Sequence, residues 1–147
     1  MSGGDENASD LRRGAPVDFG RLDAIRERFA AADRFSRIEA RPTVAPDRLV
    51  CEFDLRFYPD RIRAARLELV WFENGDFSLH YHEDHENGEF DHRWDRYLSG
   101  HNTRDHVHPG PTAPTLGQDA THPSDWRDVL SMVVSEIEDR QRAFWET

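Results

Sequence analysis

Residues 101–110 read HNTRDHVHPG and bring His101, Arg104, His106 and His108 into one short stretch. Pro109 disfavours helical geometry at His108, so the HVHP segment reads as extended chain, and His106 and His108 then project to one side about 6–7 Å apart. Imidazole titrates close to neutral pH. Two such rings can therefore flank a phosphorus atom, one taking a proton from an attacking hydroxyl and the other supplying one to the leaving oxygen. The same pair can turn onto one metal ion, with His101, Asp95 or His80 completing the shell. A third reading is a polar loop whose histidines bond backbone carbonyls.

Upstream, Arg93-Trp94-Asp95 puts an arginine and a carboxylate on one face of an expected strand, opposite the tryptophan. In the phosphate-directed reading, Arg93 is the planar fork that holds phosphate oxygens and stabilises charge gathered in the transition state. Asp95 would orient a histidine by accepting its second N–H. The two could also simply pair with each other, and Trp94 is assigned to the core. All eight histidines fall between positions 80 and 122. His80 and His82 alternate with Leu79 and Tyr81, so they share the face turned away from the core. With His92 on the next strand and Arg104 in the loop, they are the candidate substrate contacts. The catalytic candidates are His106, His108, Arg93, Asp95 and His101, acting without a metal or other cofactor. The competing assignment is a metal-binding protein or metalloenzyme built on His101, His106, His108 and Asp95, or a partner-binding module without catalysis.

The elements that must hold these residues follow from hydropathy periods. Leu22, Ile25, Phe29 and Ala32 recur at helical spacing after Asp18, a candidate cap. Alternation through Leu49, Cys51, Phe53, Leu55 and Phe57 predicts a half-buried strand over 48–58. Further strands carry Leu67, Leu69 and Trp71, then Phe77, Leu79 and Tyr81, with Asn74-Gly75 and Asn87-Gly88 as hairpin turns that use positive φ. RFSRIEA is a candidate extra strand. Residues 99–124 lack apolar periodicity and read as a long loop, of the kind that is usually functional or mobile. Ser124 is the expected cap of a last helix, whose apolar stripe is Trp126, Val129, Leu130, Val133 and Ile137. The expected fold is α+β: an antiparallel meander of four to five strands with an N-terminal and a C-terminal helix packed on one face.

The chain has 147 residues, enough for one domain with a real core. Residues 1–16 read as a disordered acidic leader and 17–147 as a single domain. No apolar run approaches the length of a membrane span, and the N-terminus has no secretory pattern, so a cytoplasmic protein is expected. The lone Cys51 reads as a packed, inert thiol. Net charge is −10, and all 19 Lys+Arg residues are arginine. A lysine-free, acid-rich composition suits the cytoplasm of salt-accumulating halophiles. At molar salt the Debye length falls to about 3 Å, so net acidity does not exclude a nucleic-acid substrate.

The order LELVWFENGDFSLHYHE, FDHRWD, HVHPG and DWRDVLSMVVSEI resembles the TumE-type toxin family of toxin-antitoxin systems, over about residues 65–140. Arg93, Trp94 and Asp95 match its Arg-Trp-Asp motif, His106 and His108 its His-x-His pair, and His101 an earlier loop histidine. The resemblance implies a small cytoplasmic toxin made beside a cognate antitoxin, often a DNA-binding protein. The residue types add an expectation of endoribonuclease activity on RNA. The N-terminal helix, the leader and the long loop over 109–123 read as departures from the family pattern.

Overall fold

The computed structural model of the chain describes residues 15–98 and 102–146. Helix α1 spans Phe19–Ala30 and is followed by strands β1 (Phe35–Arg41), β2 (Arg48–Phe53), β3 (Ile62–Trp71), β4 (Phe77–His85), β5 (Gly88–Arg96), β6 (Asp105–His108) and β7 (Gln118–Asp119), then helix α2 (Trp126–Ala143). The strands form one sheet in chain order with every neighbouring pair antiparallel. The meander thus has seven strands rather than four or five. RFSRIEA supplies β1, and the expected loop over 99–124 contains β6 and β7.

One face of the sheet is the core. Leu49 pairs with Leu69, Leu69 with Leu79, Leu79 with Trp94 and Trp94 with Val107, so one register row of apolar side chains crosses five strands. Leu22, Ile25 and Phe29 of α1 and Val129, Leu130, Val133 and Ile137 of α2 join the same buried cluster. Asp18 caps α1 by accepting the Arg21 N–H, as its position suggested. The cap of α2 is Asp125, which accepts from Arg127 N, and not Ser124.

Three further expectations need correction. The strand over 48–58 stops at Phe53, because Asp54 accepts the Arg56 N–H and winds Leu55–Phe57 into a short 3₁₀ turn. Leu55 is consequently exposed. Of the two hairpin glycines only Gly75 has positive φ, at 89°. Gly88 instead opens β5 opposite His85. At the N-terminus, Pro16 accepts the Glu73 N–H and Val17 bridges to Phe72, so the last residues of the expected leader belong to the folded domain. The rest of that leader lies outside the described residues.

Cys51 is fully buried, and desolvation pushes its thiol up to about 12, which agrees with an inert packing role. No helix among the described residues is long and apolar enough to cross a membrane.

Candidate functional site

The face opposite the helices is polar, and its register determines which groups meet. Glu68 lies opposite His80, His80 opposite Arg93, and Arg93 opposite His108. In the next row Ser78 faces Asp95 and Asp95 faces His106. Alternation on each strand leaves the side chains of these rows on one surface. His106, His108, Arg93, Asp95, His80 and His82 are therefore brought together on the outer face. His101 lies outside the described residues.

Asp95 is the centre of the first cluster. Arg93 donates from Nε to Asp95 Oδ2 at 2.9 Å. His108 Nε2 is 3.1 Å and His106 Nε2 is 3.5 Å from the same oxygen. The far nitrogens are tied down: His106 donates from Nδ1 to Thr103 O at 2.9 Å and His108 donates from Nδ1 to Pro114 O at 2.6 Å. A carbonyl only accepts, so both rings carry their Nδ1 proton, and both Nε2 atoms face a carboxylate. Burial works against an ionised Asp95, yet the two imidazoles and the Arg93 charge hold it well below the usual carboxylate range. For His106, burial opposes the charge, but Asp95 and the Thr103 carbonyl outweigh it and raise the pKa.

Asp95, His106 and His108 are 0, 1 and 3 % exposed. The cover is the segment 109–117, which leaves β6, crosses this face and returns in β7. Asp91 donates its N–H to Pro111 O at 2.7 Å, and Asn102 donates from Nδ2 to Gly117 O at 2.8 Å, so the strap is pinned at both ends. Gly117 is required by contact: a Cβ there would sit 2.8 Å from Val107 O and 3.1 Å from Cε1 of His108. Gly117→Ala should push the strap off β6 and destabilise the fold by about 1–3 kcal/mol, read from the urea midpoint. An unchanged midpoint would mean that the strap does not bear on β6.

His106 and His108 thus present no ring nitrogen to solvent, whereas the His80 side chain is 33 % and that of Arg93 17 % exposed. His80 donates from Nε2 to Asp91 Oδ1 at 2.7 Å, and His82 donates from Nδ1 to the same oxygen at 2.7 Å. His82 also donates from Nε2 to Asp84 Oδ1 at 2.9 Å. Burial opposes its charge, but the two carboxylates win and its pKa is raised.

Two candidates are placed elsewhere. His92 pairs in register with Tyr81 and stacks near Trp94, so it lies on the helix face and not beside His80 and His82. There it accepts the Gly110 N–H at Nδ1. Burial, with the Arg140 charge, lowers its pKa. The Arg104 side chain reaches away to the β3–β4 turn, where it bonds Asp76 and Asn74 O. Only its carbonyl faces His106.

A buried network absent from the sequence reading lies on the core face. Glu83 is 0 % exposed and takes two bonds from Arg140 of α2, each 2.7 Å, with further bonds from Tyr81 Oη and His85 Nε2. Tyr58 Oη links Tyr81 to Gln141. The available signal was parity, since Glu83 follows Phe77, Leu79 and Tyr81 on the apolar alternation.

The model of the family described as Toxin TumE matches residues 23–141. The match begins inside α1 and runs through the strap into α2. Most of the N-terminal helix and the 109–123 segment thus fall within the matched span. Neither a curated protein nor a solved structure matches the chain.

Proposed function

Because the chain belongs to the TumE toxin family, we propose that it is the toxin of a toxin-antitoxin pair, that it acts as an endoribonuclease, and that RNA lies on the outer face of the sheet. One observation carries the reading: Arg93 stands in register between the accessible His80 and the buried His108, in rows rich in imidazoles and carboxylates. A guanidinium in that place is a fork for a phosphodiester, and it is anchored by Asp95 and so needs little reordering when phosphate arrives.

His80 is the imidazole that a substrate can reach. Its Nε2–H is held by Asp91, which fixes the tautomer and leaves Nδ1 to exchange a proton. His106 and His108 act through Asp95, as positioning residues that hold the carboxylate under Arg93. A groove of about 700 Å³ over β1–β3 continues the same face, and its charged lining is Arg41, Arg48, Arg63 and Arg66 with Glu52 and Glu68. Arg66 pairs in register with His82, so the groove leads toward the histidine rows. This is the expected track for the RNA backbone. The partner is a cognate antitoxin with DNA-binding character, and the working compartment is the cytoplasm.

The test is induced expression with and without the adjacent open reading frame, scored for growth arrest and RNA integrity. Arrest with RNA cleavage, relieved by the neighbour, is the expected result. Arrest with intact RNA would remove the ribonuclease and leave the toxin. Assays belong at molar as well as low salt, since exposed charges screen differently in each.

A further inference from the structure

Taking the outer face as the reaction site, we propose that Asp95, His106 and His108 bind one divalent transition-metal ion of the zinc class. The cluster holds one fixed cation, Arg93, on one oxygen of Asp95. Both imidazoles have spent Nδ1 on backbone carbonyls, so each Nε2 that faces Asp95 must either carry a second proton or share a cation with the carboxylate. A proton on His106 satisfies one ring only. Asp95 Oδ1 and His108 Nε2 are buried without a hydrogen-bond partner, and a buried group of that kind calls for an explanation by water, ion or function.

The spacing of the carboxylate from each imidazole suits one ion. Bonds of about 2.0–2.2 Å from zinc to nitrogen and oxygen place two ligands of one ion about 3.0–3.5 Å apart. The distances from Oδ2 to the two Nε2 atoms are 3.1 and 3.5 Å, and the three ligand atoms all lie within 4.8 Å of one another. Backbone carbonyls on the distal Nδ1–H groups, and Arg93 on the carboxylate, are the supports that metal-binding histidines and carboxylates ordinarily have. Imidazole and carboxylate donors suit zinc and its first-row neighbours.

The other histidine clusters lack this character. Each nitrogen of His82 already donates to a carboxylate, Nδ1 to Asp91 and Nε2 to Asp84. There the positive centre is already supplied. In the Asp95 cluster an ion would sit beside the Arg93 guanidinium on the same carboxylate, and two neighbouring positive centres favour an anionic ligand. With three protein ligands a coordination position stays open. A phosphate oxygen held by Arg93 has the required chemistry.

The test uses the full chain, stripped with a chelator and titrated with zinc, manganese and cobalt salts, with bound metal measured by elemental analysis. One ion per chain is expected, with a rise in Tm on loading and with cobalt absorption bands of imidazole ligation. Histidine ¹⁵N spectra should show His106 and His108 bound through Nε2 with Nδ1 protonated, a readout on the unaltered chain that survives even if variants fail to fold. His106→Gln and His108→Gln should lose at least tenfold in affinity, and His82→Gln should keep full stoichiometry. No retained ion, or an ion lost in His82→Gln and kept in His106→Gln, would overturn the site. RNA cleavage by the metal-free chain would leave the ribonuclease standing and remove the ion from it; metal bound without cleavage would do the reverse.

Discussion

Glu83→Ala should lower stability by roughly 3 kcal/mol, the lower end of the range for breaking a buried ion pair. The side chain is 0 % exposed, and its loss leaves the Arg140 guanidinium, the Tyr81 hydroxyl and His85 without their shared acceptor. Arg140 is partly open to solvent, which limits the cost. For a chain of this size the shift in Tm is about 6–12 °C. The double variant Glu83→Leu, Arg140→Met should recover much of the loss, because it removes the uncompensated charge. The pH dependence has a definite sign. Burial opposes ionisation of Glu83, but Arg140, Tyr81 and His85 outweigh it, so its folded pKa lies below the ordinary value of 4.5. The contribution is therefore complete above pH 4.5 and is lost as pH falls through the lower folded value. The difference in urea midpoint between the wild type and Glu83→Ala should be flat near neutrality and shrink in acid. A gap of constant size down the acid limb would show that Glu83 acts by packing and not as a charge.

The sequence is legible where burial follows hydropathy. Leu49, Leu69, Leu79 and Trp94 announce their strands because one face is apolar and the other polar. Strand β6 breaks that rule: its outer residues His106 and His108 are buried, but against Asp95 and the strap, and only Val107 speaks for the apolar side. A buried polar face has no hydropathy period, so residues 105–108 read as part of a loop, although an extended HVHP segment puts His106 and His108 on one side as strand β6 does. His92 is a different case. It is two residues from Trp94 and so shares its face by strand parity, a signal present in the sequence that the histidine pattern on β4 obscured. The covering of His106 and His108 could not be read at all, since it depends on the path of 109–117. Gly117 in contact with Val107 O is visible only once strap and strand are side by side.

Arg93→Ala should abolish growth arrest and slow RNA cleavage by about 10²–10³-fold, the usual cost of removing one preorganised group from a transition-state charge. Arg93 Nε donates to Asp95 at 2.9 Å, which sets the plane of the fork that a phosphate would meet. Lysine carries the charge without the fork, so Arg93→Lys should keep the pairing with Asp95 and most of the stability, yet recover less than a tenth of the cleavage rate. That separation distinguishes a phosphate contact from a merely structural ion pair, for which lysine would restore both properties together. The rates should be split into kcat and KM at low and molar salt. A contact made chiefly in the transition state lowers kcat, whereas simple attraction of the RNA backbone raises KM and fades with salt. If Arg93→Ala still cleaves RNA at the wild-type rate, the outer face loses its phosphate anchor, and catalysis must be sought among groups that do not touch Asp95.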